Sequence, residues 1–461
     1  MLQKATPHKY EVIKMVKAPM TKDLMMQYTL VALFAIAFLS YFVFGLPSLV
    51  ITLISVGVAV GCDFLLAKVM GSKGPKNTMS AAVFGLIVAM SYSLGLPMMY
   101  IEQNPTLSGG LEQYLYPALI SAVGLIVFKK LAGLAGRKYV NPAAVAKLLV
   151  LGLLFIPAFS TVSALVPLDH TQSINLQNPL TPDAFAEGVF FYPMDTTKFA
   201  GTLLSCYSTD PMLAYNPTVL DNPLPDVVST MLFAKIHGWI GGFSSILVII
   251  MGLALFAVCR GYIKWRITLA YLVTTAVFAA VMGGIYGGDI VLRVLFHVFM
   301  GSSIFMAFFM ATDPATTPLT RLGQIIFGAG LAILTIVIQT YTGFLGGSIL
   351  ALVIMNLTCP ILDGIGVPKA SKTRLKIKLP KAKKLGDQMT TDCLRCGRCL
   401  TACCKNLPPI LIKEAADKGK WAKVEKLGAA YCDNCGHCSF VCPARIDLKA
   451  AVVSARDKIK K

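Results

Sequence analysis

Long apolar stretches fill most of the chain between residues 27 and 362, and they constrain the fold more than any other feature. A helix needs roughly 20 apolar residues to cross a bilayer. Ten stretches are candidate spans: 27–46, 47–67, 78–98, 112–128, 140–166, 238–259, 266–285, 290–311, 322–340 and 343–362. Only 14% of the 461 residues are charged, compared with about 25% in soluble proteins. We therefore predict an all-α polytopic membrane protein with about ten transmembrane helices.

The basic residues between these stretches predict the orientation of the chain. If the N-terminus is inside the cell, the inside segments before the C-terminal tail hold sixteen Lys or Arg residues and the outside loops hold two. Such an excess is typical of cytoplasmic loops. We therefore predict cytoplasmic N- and C-termini in a prokaryotic cell membrane. The net charge of +19 is explained in the same way, and no nucleic-acid partner is expected because no nucleic-acid-binding motif accompanies the charge.

Composition divides the chain into four segments. Residues 1–26 form a cytoplasmic segment, and residues 27–368 form the membrane domain, which includes a long external loop at 167–236. Residues 369–386 form a basic linker, and a small, mostly helical domain follows at 387–461. The linker is typical of a segment that binds anionic lipid. A docking patch for an acidic electron carrier is the alternative.

Nine of the thirteen cysteines lie between residues 393 and 442, in two runs with the spacing C-x2-C-x2-C-x3-C. This is the bacterial ferredoxin pattern for two [4Fe–4S] clusters, in which the fourth cysteine of each run binds the cluster of the other run. The predicted ligands of cluster 1 are Cys393, Cys396, Cys399 and Cys442. The predicted ligands of cluster 2 are Cys432, Cys435, Cys438 and Cys403. The segment between the runs predicts two helices broken at Gly419.

Two other uses of these cysteines are less favoured by the pattern. A zinc site takes four ligands in two pairs, which would leave the third and fourth cysteine of each run surplus. Disulfides are disfavoured because the domain is predicted to face the reducing cytoplasm. One ambiguity remains within the first run, because Cys404 stands where the pattern normally has proline. The spacing favours Cys403 as the ligand, with Cys404 as the alternative.

Several stretches resemble the family that contains RnfD, a membrane component of the Rnf complex, and NqrB, a membrane component of the sodium-pumping NADH:quinone oxidoreductase. They are MATDPATTPLTRLGQIIFGAG (310–330), VNPAAVAKLLV (140–150), SAAVFGLIVAM (80–90), MNLTCPILD (355–363) and HGWIGGFSS (237–245). The resemblance covers roughly residues 20–365. The tail, with LRCGRCLTACCKNLPP and YCDNCGHCSFVCPARIDL, is similar to the di-cluster segment of RnfC. The chain thus resembles an RnfD-type membrane domain fused to an RnfC-like ferredoxin tail.

The resemblance implies a flavin, FMN or riboflavin, in the membrane domain. In the family, the Thr of a Ser-Gly-Ala-Thr motif carries FMN through a phosphodiester. The nearest sequence here ends at Thr230 and lacks the Gly-Ala pair, which argues against a covalent link. The remaining candidate flavin residues are Gly238, Gly241, Gly242, Asn141, Thr312 and Asp313. The alternatives are tight helix packing for the glycines and capping of a turn for Asp313.

Ionisable residues within predicted spans are the other candidates for function, because such residues are costly in a membrane. Asp63 is a candidate for an ion path, or else it pairs with a neighbouring helix. Lys147 and Arg293 lie near the ends of their spans, where they can reach the interface. His297 is more typical of a hydrogen-bonded packing residue than of a ligand.

The resemblance implies a membrane subunit of an Rnf/Nqr-like electron-transport complex. Such a subunit passes single electrons from a cytoplasmic donor, through two [4Fe–4S] clusters, to a flavin or quinone, with coupling to Na⁺ or H⁺ translocation. The expected donor is a soluble ferredoxin or an NAD(P)H-linked flavoprotein. Other subunits would supply the two-electron chemistry, because the chain has no Rossmann fingerprint or P-loop. The alternatives are a non-pumping anchor that links a soluble flavin oxidoreductase to the quinone pool, and a transporter with a redox sensor on its tail.

Overall fold

The computed structural model describes residues 20–70, 77–92, 112–131, 138–150, 232–233, 239–286, 290–299, 303–342, 347–371 and 393–459. Throughout these residues the regular structure is helical, and they contain no β-strand. The prediction of an all-α polytopic membrane protein is confirmed. The chain divides into two compact units: a membrane unit, Met26–Leu362, and a C-terminal unit, Asp363–Lys461 together with Met1–Met25.

Apolar helices form the described part of the membrane unit. In chain order they are α1 (Lys22–Phe44), α2 (Leu46–Met70), α3 (Thr78–Met90), α4 (Glu112–Val123), α5 (142–150), α6 (Ser245–Val258), α7 (Trp265–Tyr286), α8 (Ile290–Phe299), α9 (Ser303–Phe305), α10 (Arg321–Thr342) and α11 (Gly347–Leu362). A π-helix extends α4 over Gly124–Leu131, and another extends α9 over Met306–Met310. Among the described residues, five segments are long and apolar enough to cross a membrane: α1, α2, α4 with its extension, α7 and α10.

The structure corrects the bounds of two predicted spans, at the end of α3 and at the start of α6. The stretch 78–98 predicts one long helix, but α3 ends at Met90, and residues 93–98 lie outside the described part. The stretch 238–259 becomes a helix only at Ser245. Between these ends, the N–H of Ile240 donates to the carbonyl of Tyr92 at 2.8 Å. Tyr92 and Ile240 are buried, which is the condition under which non-helical backbone is tolerated at membrane depth.

Glycines allow the membrane helices to pack closely. A Cβ atom on Gly85 would lie 2.7 Å from the backbone of Ser55, and one on Gly328 would lie 2.5 Å from the carbonyl oxygen of Ile267. A Cβ on Gly252 would overlap the ring of Phe308 at 2.2 Å. Small residues of this kind let helix backbones approach each other in membranes.

In its described residues, the C-terminal unit has five α-helices and a 3₁₀ helix, Ala429–Tyr431, around a small apolar core. The α-helices are α12 (Arg398–Ala402), α13 (Pro409–Asp417), α14 (Trp421–Lys426), α15 (His437–Phe440) and α16 (Leu448–Ile459). The core contains Ile412, Val424 and Val452 from three of them. Gly419, with φ of +67°, separates α13 from α14, as the sequence predicts. The segment 363–371 belongs to this unit, since the N–H of Ser371 donates to the carbonyl of Lys405 at 2.8 Å.

Candidate functional site

The two cysteine runs form the same loop twice. In the first run, Arg395 and Gly397 have left-handed backbones, with φ of 52° and 75°. At the matching positions of the second run, Asn434 and Gly436 have φ of 59° and 76°. Each glycine precedes a short helix, α12 or α15, that carries the third cysteine of its run. The left-handed residues turn the backbone sharply between the three closely spaced cysteines of each run. The two runs therefore match in backbone conformation as well as in cysteine spacing.

The repeat continues to the fourth cysteine and distinguishes Cys403 from Cys404. The N–H of Asn406, with φ of 54°, donates to the carbonyl of Cys403 at 3.0 Å. The N–H of Arg445, with φ of 56°, donates to the carbonyl of Cys442 at 3.1 Å. Cys403 is therefore the structural equivalent of Cys442. Cys404 corresponds to the proline that follows Cys442.

The cysteines gather in two groups that draw on both runs. In group 1, the Cys399 thiol interacts with those of Cys396, Cys393 and Cys442, and burial raises its pKa well above the ordinary value. Group 2 surrounds one cavity and consists of Cys403, Cys404, Cys432, Cys435 and Cys438. Each group contains the four cysteines that the sequence assigns to one cluster, and group 2 contains Cys404 in addition.

Cys404 contacts two of the predicted ligands. Its Sγ lies 3.3 Å from the Sγ of Cys435, and its side chain also hydrogen-bonds to that of Cys403. These hydrogen bonds lower the pKa of Cys435 to about 6 and that of Cys403 to about 7, and they raise the pKa of Cys404 itself.

Backbone N–H groups point at several of the thiols. The N–H of Arg395 donates to the Sγ of Cys393 at 3.3 Å, and the N–H of Asn434 makes the matching hydrogen bond to Cys432. Hydrogen bonds of this kind stabilise thiolates and contribute to the reduction potential of an iron–sulfur cluster. The loops therefore provide both sulfur ligands and the donors that usually surround them.

The spacing of the cysteines predicts iron–sulfur clusters rather than a single metal ion. Among the described residues, no three His, Cys, Asp or Glu side chains are grouped closely enough to hold one ion. A zinc site requires four ligand atoms at about 2.3 Å from one centre, whereas each thiolate of a [4Fe–4S] cluster binds a different iron. The four-cysteine sets in groups 1 and 2 are the donor sets that two such clusters require.

A buried ion-pair network holds the group 1 loop, which is the segment 393–399 of the first cysteine run. The guanidinium of Arg395 pairs with the carboxylates of Asp363 and Glu414, and Arg395 is only 5% exposed. In group 2, Lys405 pairs with Asp433 at 3.2 Å and so connects the two runs. The sequence analysis did not identify these residues. An arginine inside a C-x-x-C loop is a visible signal, but its partners lie 19 and 32 residues away and follow no spacing rule.

The described flavin candidates are engaged in structural contacts. Asn141 donates to the carbonyl of Met310 at 3.2 Å, and its side-chain oxygen accepts from two N–H groups at the start of α5. Thr312 donates to the carbonyl of Phe308 at 2.6 Å, and Asp313 accepts from the N–H of Ala315 at 3.1 Å. These contacts bring Asn141 close to the turn that carries Thr312 and Asp313 and give each of the three side chains a structural role.

The glycine candidates support the packing alternative. A Cβ on Gly241 would lie 2.7 Å from both Met90 and Phe305, so no ligand can approach from that side. Gly242 is also buried, in the short 3₁₀ turn that precedes α6. Thr230 and Gly238 lie outside the described residues. The flavin therefore stays a prediction, and we derive no step through one.

Two buried ionisable residues of the membrane unit, Asp63 and Lys147, have partners. Asp63 is 1% exposed, pairs with Lys130 at 2.5 Å and accepts from the N–H of Asn77 at 3.0 Å. Lys147, also 1% exposed, donates to the carbonyl of Ser91 and lies 4.6 Å from the ring centroid of Trp239. For Asp63, these contacts favour pairing between helices over a position in an ion path. His297 lies on α8, where its carbonyl accepts from Ser303 at 3.0 Å, and the side chain of Arg293 is outside the description.

Comparison with known proteins identifies the membrane unit. Residues 14–372 match the model of the NQR2, RnfD, RnfE family. The D component of the Na(+)-translocating ferredoxin:NAD(+) oxidoreductase complex of Acetobacterium woodii is 27% identical over 341 residues, which cover 73% of this chain and 87% of that protein. The D component of the ion-translocating oxidoreductase complex of Halorhodospira halophila is 26% identical over 376 residues, which cover 78% of this chain and 94% of that protein. The family match ends before the first cysteine run. The chain belongs to the NQR2, RnfD, RnfE family.

Proposed function

We propose that this protein is a membrane subunit of an Rnf/Nqr-like electron-transport complex that passes single electrons from a cytoplasmic donor to an acceptor in the membrane. One observation carries the proposal: two groups of cysteines, each with the four predicted ligands of one cluster, assemble from a repeated loop in a chain whose membrane unit belongs to this family. The relatives are named as subunits of ion-translocating oxidoreductase complexes. This naming supports partner subunits for the present chain as well.

The cysteines of groups 1 and 2 would hold the redox centres. Cys393, Cys396, Cys399 and Cys442 would bind one [4Fe–4S] cluster, and Cys432, Cys435, Cys438 and Cys403 would bind the other. When bound, these clusters supply reversible one-electron transfer. The chain's own contribution is to hold the thiolates in place with left-handed loops, to direct N–H groups at the sulfurs and to fix the group 1 loop through Arg395.

The direction of electron flow follows from the orientation that the basic loops predict. Both termini, and with them the cysteine groups, lie in the cytoplasm of a prokaryotic cell, where a reduced ferredoxin or an NAD(P)H-linked flavoprotein can reach them. The acceptor is a flavin or a quinone in the membrane. Na⁺ or H⁺ translocation accompanies the electron transfer, as the names of the relatives suggest.

Two observations favour a second function, a membrane anchor that links a soluble flavin oxidoreductase to the quinone pool without pumping ions. The described flavin candidates are held in structural contacts, and Asp63 is paired rather than free in a pathway. In this second function the chain keeps the two clusters, but electron transfer is not coupled to ion translocation. Ion uptake by liposomes that contain the purified complex, measured while a reduced donor is supplied, separates the two functions. A gradient excludes the anchor, and electron transfer without a gradient excludes the pump.

The proposed function is tested first on the full chain, purified in detergent without oxygen. We expect about eight iron atoms and about eight acid-labile sulfides per chain, with the spectrum of reduced [4Fe–4S] clusters after dithionite treatment. Flavin is measured separately in the supernatant and the pellet after acid precipitation, because only covalently linked flavin stays in the pellet. A chain that holds zinc, or no metal, after anaerobic purification would refute the cluster assignment.

A further inference from the structure

Group 2 contains one more thiol than a cluster needs. Five cysteines line its cavity, namely Cys403, Cys404, Cys432, Cys435 and Cys438. A [4Fe–4S] cluster uses four. The additional thiol is that of Cys404, because the backbone repeat makes Cys403 the equivalent of Cys442.

Cys404 is placed among the ligands rather than away from them. Its Sγ lies 3.3 Å from the Sγ of Cys435, which comes from the second run. Its side chain also contacts that of Cys403, its neighbour in the first run. The Cys404 side chain therefore lines the same cavity as the four predicted ligands of cluster 2.

The second run provides a natural comparison. There the residue after the fourth cysteine is Pro443, which has no ligand atom in its side chain. The two runs share the same cysteine spacing and the same left-handed backbone positions. They differ in that group 2 has a spare thiol beside its fourth cysteine and group 1 does not.

We propose that Cys404 is a reserve ligand, which binds the iron of cluster 2 when Cys403 is not available. In this exchange, the bond between the iron and the Cys403 sulfur would break and the released Cys403 thiolate would take up a proton from solvent, while the Cys404 thiol would give its proton to solvent and its sulfur would bind the same iron. No electron is transferred. The proposal rests on the proposed function, since it requires a cluster in group 2.

The experiment compares alanine variants of the full chain, purified without oxygen, because alanine offers no replacement ligand atom. Cys403→Ala should keep about eight iron atoms per chain, and Cys404→Ala should do the same. The double variant Cys403→Ala/Cys404→Ala should fall to about four, a twofold loss. The matched control, Cys442→Ala, should also fall to about four, because Pro443 cannot replace it. The electron paramagnetic resonance spectrum of reduced Cys403→Ala should show an unchanged cluster 1 signal and a shifted cluster 2 signal.

The outcomes separate this inference from the function on which it rests. If Cys403→Ala holds about four iron atoms or fewer, while the wild-type chain holds about eight, the reserve role is wrong and the proposed function stands. If Cys404→Ala alone loses cluster 2, Cys404 is the ordinary ligand and the reserve role is again overturned. If the wild-type chain holds no clusters, the proposed function fails and the reserve role fails with it.

Discussion

The buried arginine in the group 1 loop offers the sharpest test of how the C-terminal unit is held together. Arg395 pairs with Asp363, whose side chain is 6% exposed, and with Glu414, whose side chain is 34% exposed. Removing one partner of a buried pair costs about 3–5 kcal/mol, because the other charge is left buried without compensation. A pair that is partly exposed contributes about 0.2–1 kcal/mol. The stability should therefore depend on Asp363 and only weakly on Glu414.

The substitution for this test is Arg395→Asn. Asparagine tolerates the left-handed backbone that Arg395 adopts with φ of 52°. It also occupies the matching position of the second run, at Asn434. The change thus removes the charge without adding backbone strain. We expect the C-terminal unit to lose about 3–5 kcal/mol, whereas Glu414→Gln should cost less than about 1 kcal/mol.

Hydrogen–deuterium exchange of the full chain in detergent measures this loss without relying on bound clusters. Amides in α13 and α16, which pack together around the core of the C-terminal unit, should exchange at least about 100-fold faster in Arg395→Asn, since about 1.4 kcal/mol corresponds to a tenfold change. Amides in α10 serve as the internal control and should be unchanged. The reasoning is refuted if α13 and α16 keep their protection in Arg395→Asn, or if Glu414→Gln exposes them to the same extent.

Three further predictions concern packing, a buried lysine and the proposed clusters. Gly328→Ala should destabilise the membrane unit by about 1–3 kcal/mol, because its Cβ would lie 2.5 Å from the carbonyl of Ile267. Gly284→Ala, which meets no atom within 4 Å, should leave the thermal unfolding temperature in detergent unchanged, and equal effects of the two variants would contradict the packing. Lys264→Met should lower the same unfolding temperature. The Nζ of Lys264 donates to the carbonyls of Pro314 and Thr317 at 2.9 Å, and the variant leaves these acceptors buried without a donor. An unchanged temperature would contradict this role. Removal of the clusters with ferricyanide and a chelator should speed hydrogen exchange in both cysteine loops, because bound metal stabilises only the folded state that binds it. Exchange in α10 should not change. Unchanged exchange in the loops would show that they fold without metal.

Much of the architecture was predictable because its signals are local in the chain. Hydropathy alone identifies the apolar stretches, and the positions of α1, α2, α7 and α10 agree with the predicted spans to within a few residues. The cysteine spacing predicts the two loops, and the separation of α13 from α14 at Gly419 follows from composition. Each of these features depends on residues that are close in sequence, so it can be predicted without knowing which distant residues come into contact.

Tertiary structure decided the features that depend on distant residues. Just beyond the end of α3, the carbonyl of Tyr92 accepts from the N–H of Ile240, almost 150 residues later, a partner that the sequence does not indicate. The backbone repeat adds to the spacing in making Cys403 the equivalent of Cys442, and only the fold brings Asp363 to Arg395. Hydropathy and spacing carry no information on such pairings, because the free energy of a hydrogen bond or a buried ion pair depends on where folding places both partners.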